Sequence, residues 1–108
     1  MSIDPKLKQY IDNNVLPQYS NDNSGHGIQH IRYVIRRCLN FSKQIPDINI
    51  NVIYTAAAYH DIAHHIDKHT HEILSAKAFI DDNNVKNFFN SDEIILIKEA
   101  IEDHRASA

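Results

Sequence analysis

Helical periodicity of the apolar residues, together with a scarcity of glycine and proline, is the feature that most restricts how this chain can fold. The chain has two glycines and three prolines, so few positions interrupt a helix. Apolar side chains recur three or four residues apart almost throughout, and no segment alternates apolar and polar residues as a strand does. We therefore predict an all-α fold, a compact bundle of about five helices that forms one domain over residues 1–108.

The apolar periodicity and the helix-capping residues predict where these helices begin and end. Asp4 is the predicted N-cap of the first helix, with Pro5 at its first position. The segment of residues 48–62 is apolar around most of its circumference and is predicted to be the central buried helix. Ser91 is the predicted N-cap of the last helix, after a connector with one short helical turn at its end. The predicted helices span residues 4–19, 27–45, 48–62, 70–80 and 91–104.

Composition and charge exclude several classes of protein. The net charge is −3, and no basic stripe of the kind that binds nucleic acid is present. The N-terminus lacks an apolar signal segment, and no apolar run approaches the roughly 18 residues of a membrane span, so secretion and membrane insertion are not expected. The single cysteine, Cys38, cannot form an intramolecular disulfide, which fits a reducing compartment. We expect a cytoplasmic protein that binds neither nucleic acid nor membrane.

Histidines are concentrated in one short stretch of the chain. Five of the eight lie between residues 60 and 71, and Asp61 directly follows the first of them. Imidazole is the commonest metal ligand in proteins and titrates near neutral pH. Histidines drawn from separate segments, beside a carboxylate, predict a buried metal site. The histidines are His60, His64, His65, His69 and His71 in this stretch, His26 and His30 upstream, and His104 near the end of the last helix.

The predicted helices suggest how these side chains meet. His26 and His30 are one helical turn apart, so they share a face if the second helix begins by residue 26. His60 and Asp61 end the central helix, after three alanines that let neighbouring helices approach closely. Adjacent helical residues point about 100° apart, so both reach one ion only in a pocket enclosed by several helices, where His30 is the natural third ligand. Such a site suits a hard or borderline divalent ion that activates water.

Four motifs in a fixed order carry a resemblance to a known family. They are HGIQHIRYV, AAAYHDIAHH, HEILSAKAFI and AIEDH, which together run from about residue 26 to residue 104. In this order and spacing the chain resembles the HD-domain superfamily. The resemblance implies an all-helical metal-dependent phosphohydrolase that acts on a nucleotide or a related small phosphorylated molecule.

The resemblance also assigns the metal ligands, and the chemistry of neighbouring residues suggests the other roles. The resemblance implies one or two divalent ions (Mn, Mg, Co, Ni, Zn or Fe), which polarise a phosphoryl oxygen and activate a water molecule. Asp61 and His64 are the expected catalytic residues, Asp61 by holding the ion and His64 by moving a proton. The expected metal ligands are His30, His60, Asp61, His71 and His104, and the expected substrate contacts are His26, Lys68 and Arg105.

One departure from the family pattern concerns the end of the chain. The last metal ligand of the family is an aspartate on a later helix, and this sequence ends at Ala108. Asp103 is not an obvious substitute, because it precedes His104 on the same turn. We therefore expect either a domain that is incomplete at its C-terminus or a site that closes differently. In an incomplete domain, apolar surface on the first three helices would be uncovered, which predicts self-association as a homo-oligomer.

Structural roles and other functions compete with these assignments. His60 and Asp61 can cap backbone groups, and His104 can interact with a helix dipole. Most of the other histidines, Lys68 and Arg105 can be ordinary surface or core residues. Among functions, the first alternative is a degenerate HD domain that binds a nucleotide or a metal without catalysis. A second is a helical protein whose histidine loop, residues 60–71, sequesters metal, although the upstream GHGIQH segment counts against it.

Overall fold

Helices provide all the regular structure in the described part of this protein. The computed structural model describes residues 2–19, 27–45, 47, 49–64 and 70–103, and no strand is present among them. The prediction of an all-α fold is confirmed. The α-helices are α1 (Pro5–Tyr10), α2 (Ile28–Ser42), α3 (Ile50–Tyr59), α4 (His71–Asp81), α5 (Asn83–Lys86) and α6 (Ser91–Asp103), and a π-helical turn (Ile11–Val15) and a 3-10 turn (Leu16–Gln18) follow α1.

The first helix begins as predicted but does not continue as a regular α-helix. The Asp4 side chain accepts a hydrogen bond from the backbone N–H of Lys6 at 2.9 Å, and Pro5 occupies the first turn. The prediction of one α-helix over residues 4–19 is wrong, because the hydrogen-bonding pattern widens after Tyr10 and then tightens. Pro17 has no N–H to donate, so an α-helical ladder cannot pass through it intact.

The two helices in the middle of the bundle are shorter than predicted. α2 ends at Ser42 rather than near residue 45. α3 begins after Asn49, whose side-chain oxygen accepts hydrogen bonds from the backbone N–H groups of Asn51 and Val52. It ends at Tyr59, and the chain then forms turns through residue 64. His60 and Asp61 therefore lie just beyond the helix end and not within its last turn.

Three predictions about the later helices differ from the structure, two on N-terminal caps and one on the position of a short helix. Thr70 precedes α4, but its side chain makes no capping hydrogen bond in the described part of the chain. α5 lies near the start of the connector before α6 and not at its end. α6 is capped by Asn90 and not by Ser91: the Asn90 side chain accepts from the N–H of Glu93 at 2.8 Å, and the Glu93 carboxylate accepts from the N–H of Asn90 at 2.9 Å. This reciprocal pair is a capping box, which satisfies two otherwise unpaired donors.

The core lies around α3, as predicted. α3 packs against α2, α4 and α6, and α4 packs against α6. The rings of Tyr59 and Phe79 meet edge to face, with centroids 5.4 Å apart, a favoured aromatic geometry. The side chains that are fully buried include Leu7, Ile11, Val15, Ile31, Ala58, Phe79, Val85, Ile97 and Ile101.

A carboxylate outside the histidine-rich region links three of the helical segments. Asp82 accepts hydrogen bonds from the hydroxyls of Tyr10 and Tyr59, both at 2.7 Å, and it also caps α5. Burial acts to raise the pKa of Asp82, but the bonds from the two tyrosines and from the N–H groups of Val85 and Asn84 outweigh it, so the pKa lies below its ordinary value. Asp82 is therefore an ionised structural link.

No helix among the described residues is long and apolar enough to cross a bilayer. Large apolar side chains that remain exposed are Tyr33, Phe41, Ile45, Ile73, Ile95 and Leu96.

Candidate functional site

A buried carboxylate lies where the turn after α3 meets the start of α4. Asp61 is 6% exposed, and its two oxygens face different histidines. Oδ1 lies 3.0 Å from Nε2 of His71, the first residue of α4, and Oδ2 lies 3.6 Å from Nε2 of His60. A carboxylate leaves water at a high cost unless it is paired. The His71 imidazole is thus part of what permits Asp61 to be buried.

A second histidine of the turn joins this group. The ring of His64 lies edge-on to the ring of His71, with centroids 4.9 Å apart. His64 is partly buried. We call His60, Asp61, His64 and His71 the Asp61 cluster. Four of the predicted site residues are therefore brought together by the fold.

The hydrogen bonding of His60 determines which of its two ring nitrogens carries the proton. Its Nδ1 lies 2.7 Å from the carbonyl oxygen of Ala57. Because a carbonyl oxygen can only accept, Nδ1 carries the proton in this contact. In the neutral ring, Nε2 then holds the lone pair, and Nε2 is the atom that faces Asp61. A histidine that donates one N–H to a backbone carbonyl and offers its other nitrogen is typical of metal sites.

The turn that carries Asp61 is fixed by two side chains that sequence analysis did not identify. The Tyr19 hydroxyl donates to the carbonyl oxygen of Ala58 at 2.6 Å and accepts from the backbone N–H of Asp61 at 3.3 Å. Burial raises the pKa of Tyr19 well above its ordinary value, so this hydroxyl remains a donor. The Ser75 hydroxyl of α4 accepts from the N–H of Ala63 at 3.0 Å. No local sequence pattern indicates the role of either residue, because the backbone groups that each one binds are distant in the chain.

The remaining predicted residues fall into two groups. His30 is in the first turn of α2 and is partly buried. The helix that carries His30, α2, packs against α3. The predicted contacts and ligands that lie outside the described residues are His26, Lys68, His104 and Arg105. His65 and His69 of the histidine-rich stretch lie outside them as well.

The donor atoms of the Asp61 cluster can be compared with the requirements of a metal ion. Bonds of about 2 Å place two ligand atoms of one ion roughly 3 to 3.5 Å apart. The separations of 3.0 Å and 3.6 Å from Asp61 to His71 and His60 are close to this range. Among the described residues, however, no group of three His, Cys, Asp or Glu side chains is arranged to hold an ion. The described residues thus offer two suitable ligand pairs that share one carboxylate.

The same atoms can also act without a metal. A distance of 3.0 Å from imidazole nitrogen to carboxylate oxygen is that of a hydrogen bond. Glu72 adds a second carboxylate, since its Oε2 lies 3.7 Å from Nδ1 of His71. An imidazole between two carboxylates is held in orientation.

Comparisons with models of known protein families, with curated proteins and with solved structures give no match.

Proposed function

We propose that this protein is a metal-dependent phosphohydrolase of the HD type, acting on a nucleotide or a related small phosphorylated molecule. The observation that carries the proposal is the burial of Asp61 between His60 and His71. The pair His60 and Asp61 comes from the HD-like motif, whereas His71 comes from the next helix. Imidazole nitrogen and carboxylate oxygen are the types of donor that suit a divalent ion used in hydrolysis.

The residues that would hold the ion are His60, Asp61 and His71, with His30 as a further ligand. His60 is prepared for this role because Ala57 fixes its Nδ1 proton and leaves Nε2 toward Asp61. Asp61 is prepared because Tyr19 holds its backbone and its two oxygens face different imidazoles. Asp61 would hold the ion, or both ions where a second is present. His104 is proposed as an additional ligand from its place in the family pattern.

The ion and the protein side chains would contribute different parts of the hydrolysis. A bound divalent ion supplies Lewis acidity toward a phosphoryl oxygen and lowers the pKa of a water molecule. The chain orients the ligands and excludes bulk water around Asp61. His64, partly buried beside His71, is placed to exchange a proton with a reacting group. We assign substrate contact to His26, Lys68 and Arg105.

A second candidate function is a degenerate HD domain that binds a nucleotide or a metal but does not catalyse hydrolysis. The specific observation in its favour is the 3.0 Å separation of Asp61 Oδ1 from His71 Nε2, which satisfies a hydrogen bond without any ion.

Metal binding and turnover distinguish the two candidates. Chelated protein is titrated with Mn²⁺, Co²⁺, Ni²⁺, Mg²⁺ or Zn²⁺ by calorimetry, and hydrolysis of p-nitrophenyl phosphate and of nucleoside monophosphates is then measured. We expect Asp61→Asn to lose both metal binding and turnover. Asp81→Asn is the matched control, because Asp81 is an exposed carboxylate paired with Lys77. Binding without turnover in the wild type supports the second candidate, and absence of metal binding contradicts the phosphohydrolase.

Two further proposals concern the cellular location and the oligomeric state of the protein. We infer a cytoplasmic location from the single cysteine, Cys38, which is free and partly buried. We also propose self-association, since Phe41, Ile73 and Leu96 are each more than half exposed and exposed apolar surface favours association. Light scattering coupled to size exclusion tests the oligomeric state.

A further inference from the structure

A second candidate site lies away from the Asp61 cluster, between the N-terminal helical segment and α2. It is a solvent-open cavity of about 250 Å³, and one of its walls is Tyr54 of α3. Its apolar surface comes from Leu16, Ile35 and Leu39 among others. None of the Asp61 cluster residues lines it. We call it the Tyr54 cavity.

The charges around the Tyr54 cavity are mostly positive. Its rim carries Lys8, Asp12, Arg32 and Arg36. Lys8 and Asp12 neutralise one another, since Lys8 Nζ lies 2.7 Å from Asp12 Oδ2. Arg32 and Arg36 are one turn apart on α2, and neither guanidinium has an ion-pair partner among the described residues. The rim therefore presents two uncompensated guanidinium groups, which are suited to carboxylate or phosphate oxygens.

The wall of this cavity includes a tyrosine whose hydroxyl can donate a hydrogen bond. Tyr54 is 3% exposed, and its hydroxyl makes no hydrogen bond within the described part of the chain. Burial raises the pKa of Tyr54 to about 12, and the charges of Asp12 and Arg32 on the rim also act on the hydroxyl. Among the described residues, the buried side-chain oxygen without a hydrogen-bond partner is Oγ1 of Thr55 and not the Tyr54 hydroxyl, so solvent reaches this hydroxyl. An acceptor atom placed in the cavity can accept its hydrogen bond.

The geometry points to the Tyr54 cavity as a binding site for a small organic anion with an apolar body. The anionic group accepts hydrogen bonds from Arg32, Arg36 and the Tyr54 hydroxyl, while the apolar body packs against Leu16 and Leu39. The volume of about 250 Å³ lies below the roughly 300–1,000 Å³ of pockets for drug-sized ligands. A ligand the size of one substituted aromatic ring is therefore the expected occupant. This site does not depend on the phosphohydrolase activity.

Binding of three small probes to the chelated protein tests this inference. Benzoate and phenylphosphonate carry a carboxylate and a phosphonate on the same ring, and neither can be hydrolysed at a phosphoester bond. Benzamide is the uncharged control. We expect both anions to bind by calorimetry and to shift the amide NMR signals of Ile35 and Leu39, with benzamide at least about tenfold weaker. The relative affinity of the two anions identifies the preferred acid group.

Variants separate the Tyr54 cavity from other anion sites. We expect Arg32→Gln, Arg36→Gln and Tyr54→Phe each to weaken anion binding about tenfold, as loss of one hydrogen bond to a charged group does. Arg37→Gln is the matched control, because Arg37 is engaged with Tyr33 and does not line the cavity. Asp61→Asn should leave binding unchanged.

Four results would overturn the inference. They are absence of anion binding, equal affinity for benzamide, affinity that is insensitive to the three cavity variants, and loss of binding in Asp61→Asn. A fifth contrary result is a concentration-dependent shift of the Ile35 and Leu39 signals without any probe, since a second copy of the chain would then cover the cavity. Because Tyr54→Phe removes only one oxygen, it keeps the test valid if an arginine variant fails to fold.

Discussion

The Nε2 atom of His71 lies 3.0 Å from Oδ1 of Asp61, so the first residue of α4 is joined to the turn that follows α3. Both side chains are more than nine-tenths buried. Such a contact supports the helix packing and also places two ligand atoms side by side. Substitutions of His71 can separate its contribution to helix packing from its contribution to metal binding.

Replacing His71 by alanine should weaken both folding and metal binding. The change leaves the Asp61 carboxylate buried without its nearest imidazole, which we expect to lower the free energy of unfolding by about 1–3 kcal/mol. His71→Gln can still donate a hydrogen bond but is a poor ligand for a divalent ion. We expect it to recover much of the stability in urea denaturation while metal affinity, measured by calorimetry, stays low. Recovery of both properties would show that His71 does not bind the ion.

Tyr19→Phe should destabilise the protein although it removes a single oxygen. The substitution leaves the carbonyl of Ala58 and the N–H of Asp61 without their shared partner. Unpaired buried polar groups cost about 1–3 kcal/mol, which urea denaturation can resolve. Tyr33→Phe is the control, because Tyr33 is 48% exposed. Equal effects of the two substitutions would contradict a positioning role for Tyr19.

The stabilising effect of Asp82 should disappear in acid. Its pKa is lowered in the folded protein from an ordinary value of 3.8, so the unfolded chain takes up its proton first as the pH falls. The stability from this group is therefore complete above about pH 5 and is lost as the pH falls below 3.8 toward the lower folded pKa. We expect the difference in melting temperature between wild type and Asp82→Asn to be largest at neutral pH and to shrink below pH 4. If the difference in melting temperature did not change with pH, the negative charge of Asp82 would not be the source of its stabilising effect.

The capping box at the start of α6 should contribute measurably to the stability of the folded protein. Asn90→Ala removes the acceptor for the N–H of Glu93, and loss of an N-cap costs about 1 kcal/mol. Asn87→Ala is the matched control, since Asn87 is exposed and its side chain makes no hydrogen bond among the described residues. Thermal unfolding followed by circular dichroism at 222 nm compares the two variants. A larger loss in Asn87→Ala would contradict the assignment of the cap.

Sequence reasoning predicted the helical class and the central helix because both depend on local patterns. The apolar circumference of the third helix indicated burial, and the structure places α3 against three other helices. The cap at Asp4 was also predictable, because the donors it satisfies are its own neighbours. The exact helix ends were less predictable: Asn90 and Ser91 are both good cap residues, and only the reciprocal bond with Glu93 decides between them.

The sequence by itself determined the all-helical class and the concentration of histidines around Asp61, since periodicity and residue spacing are properties of the chain alone. Only the tertiary structure decided that His71 contacts Asp61, that Tyr19 holds the turn, and that Tyr54 lies buried in the wall of a cationic cavity. The physical reason is that helical patterns depend on neighbours three or four residues away. Contacts between helices depend on packing angles and side-chain rotamers, which are set by the whole core at once.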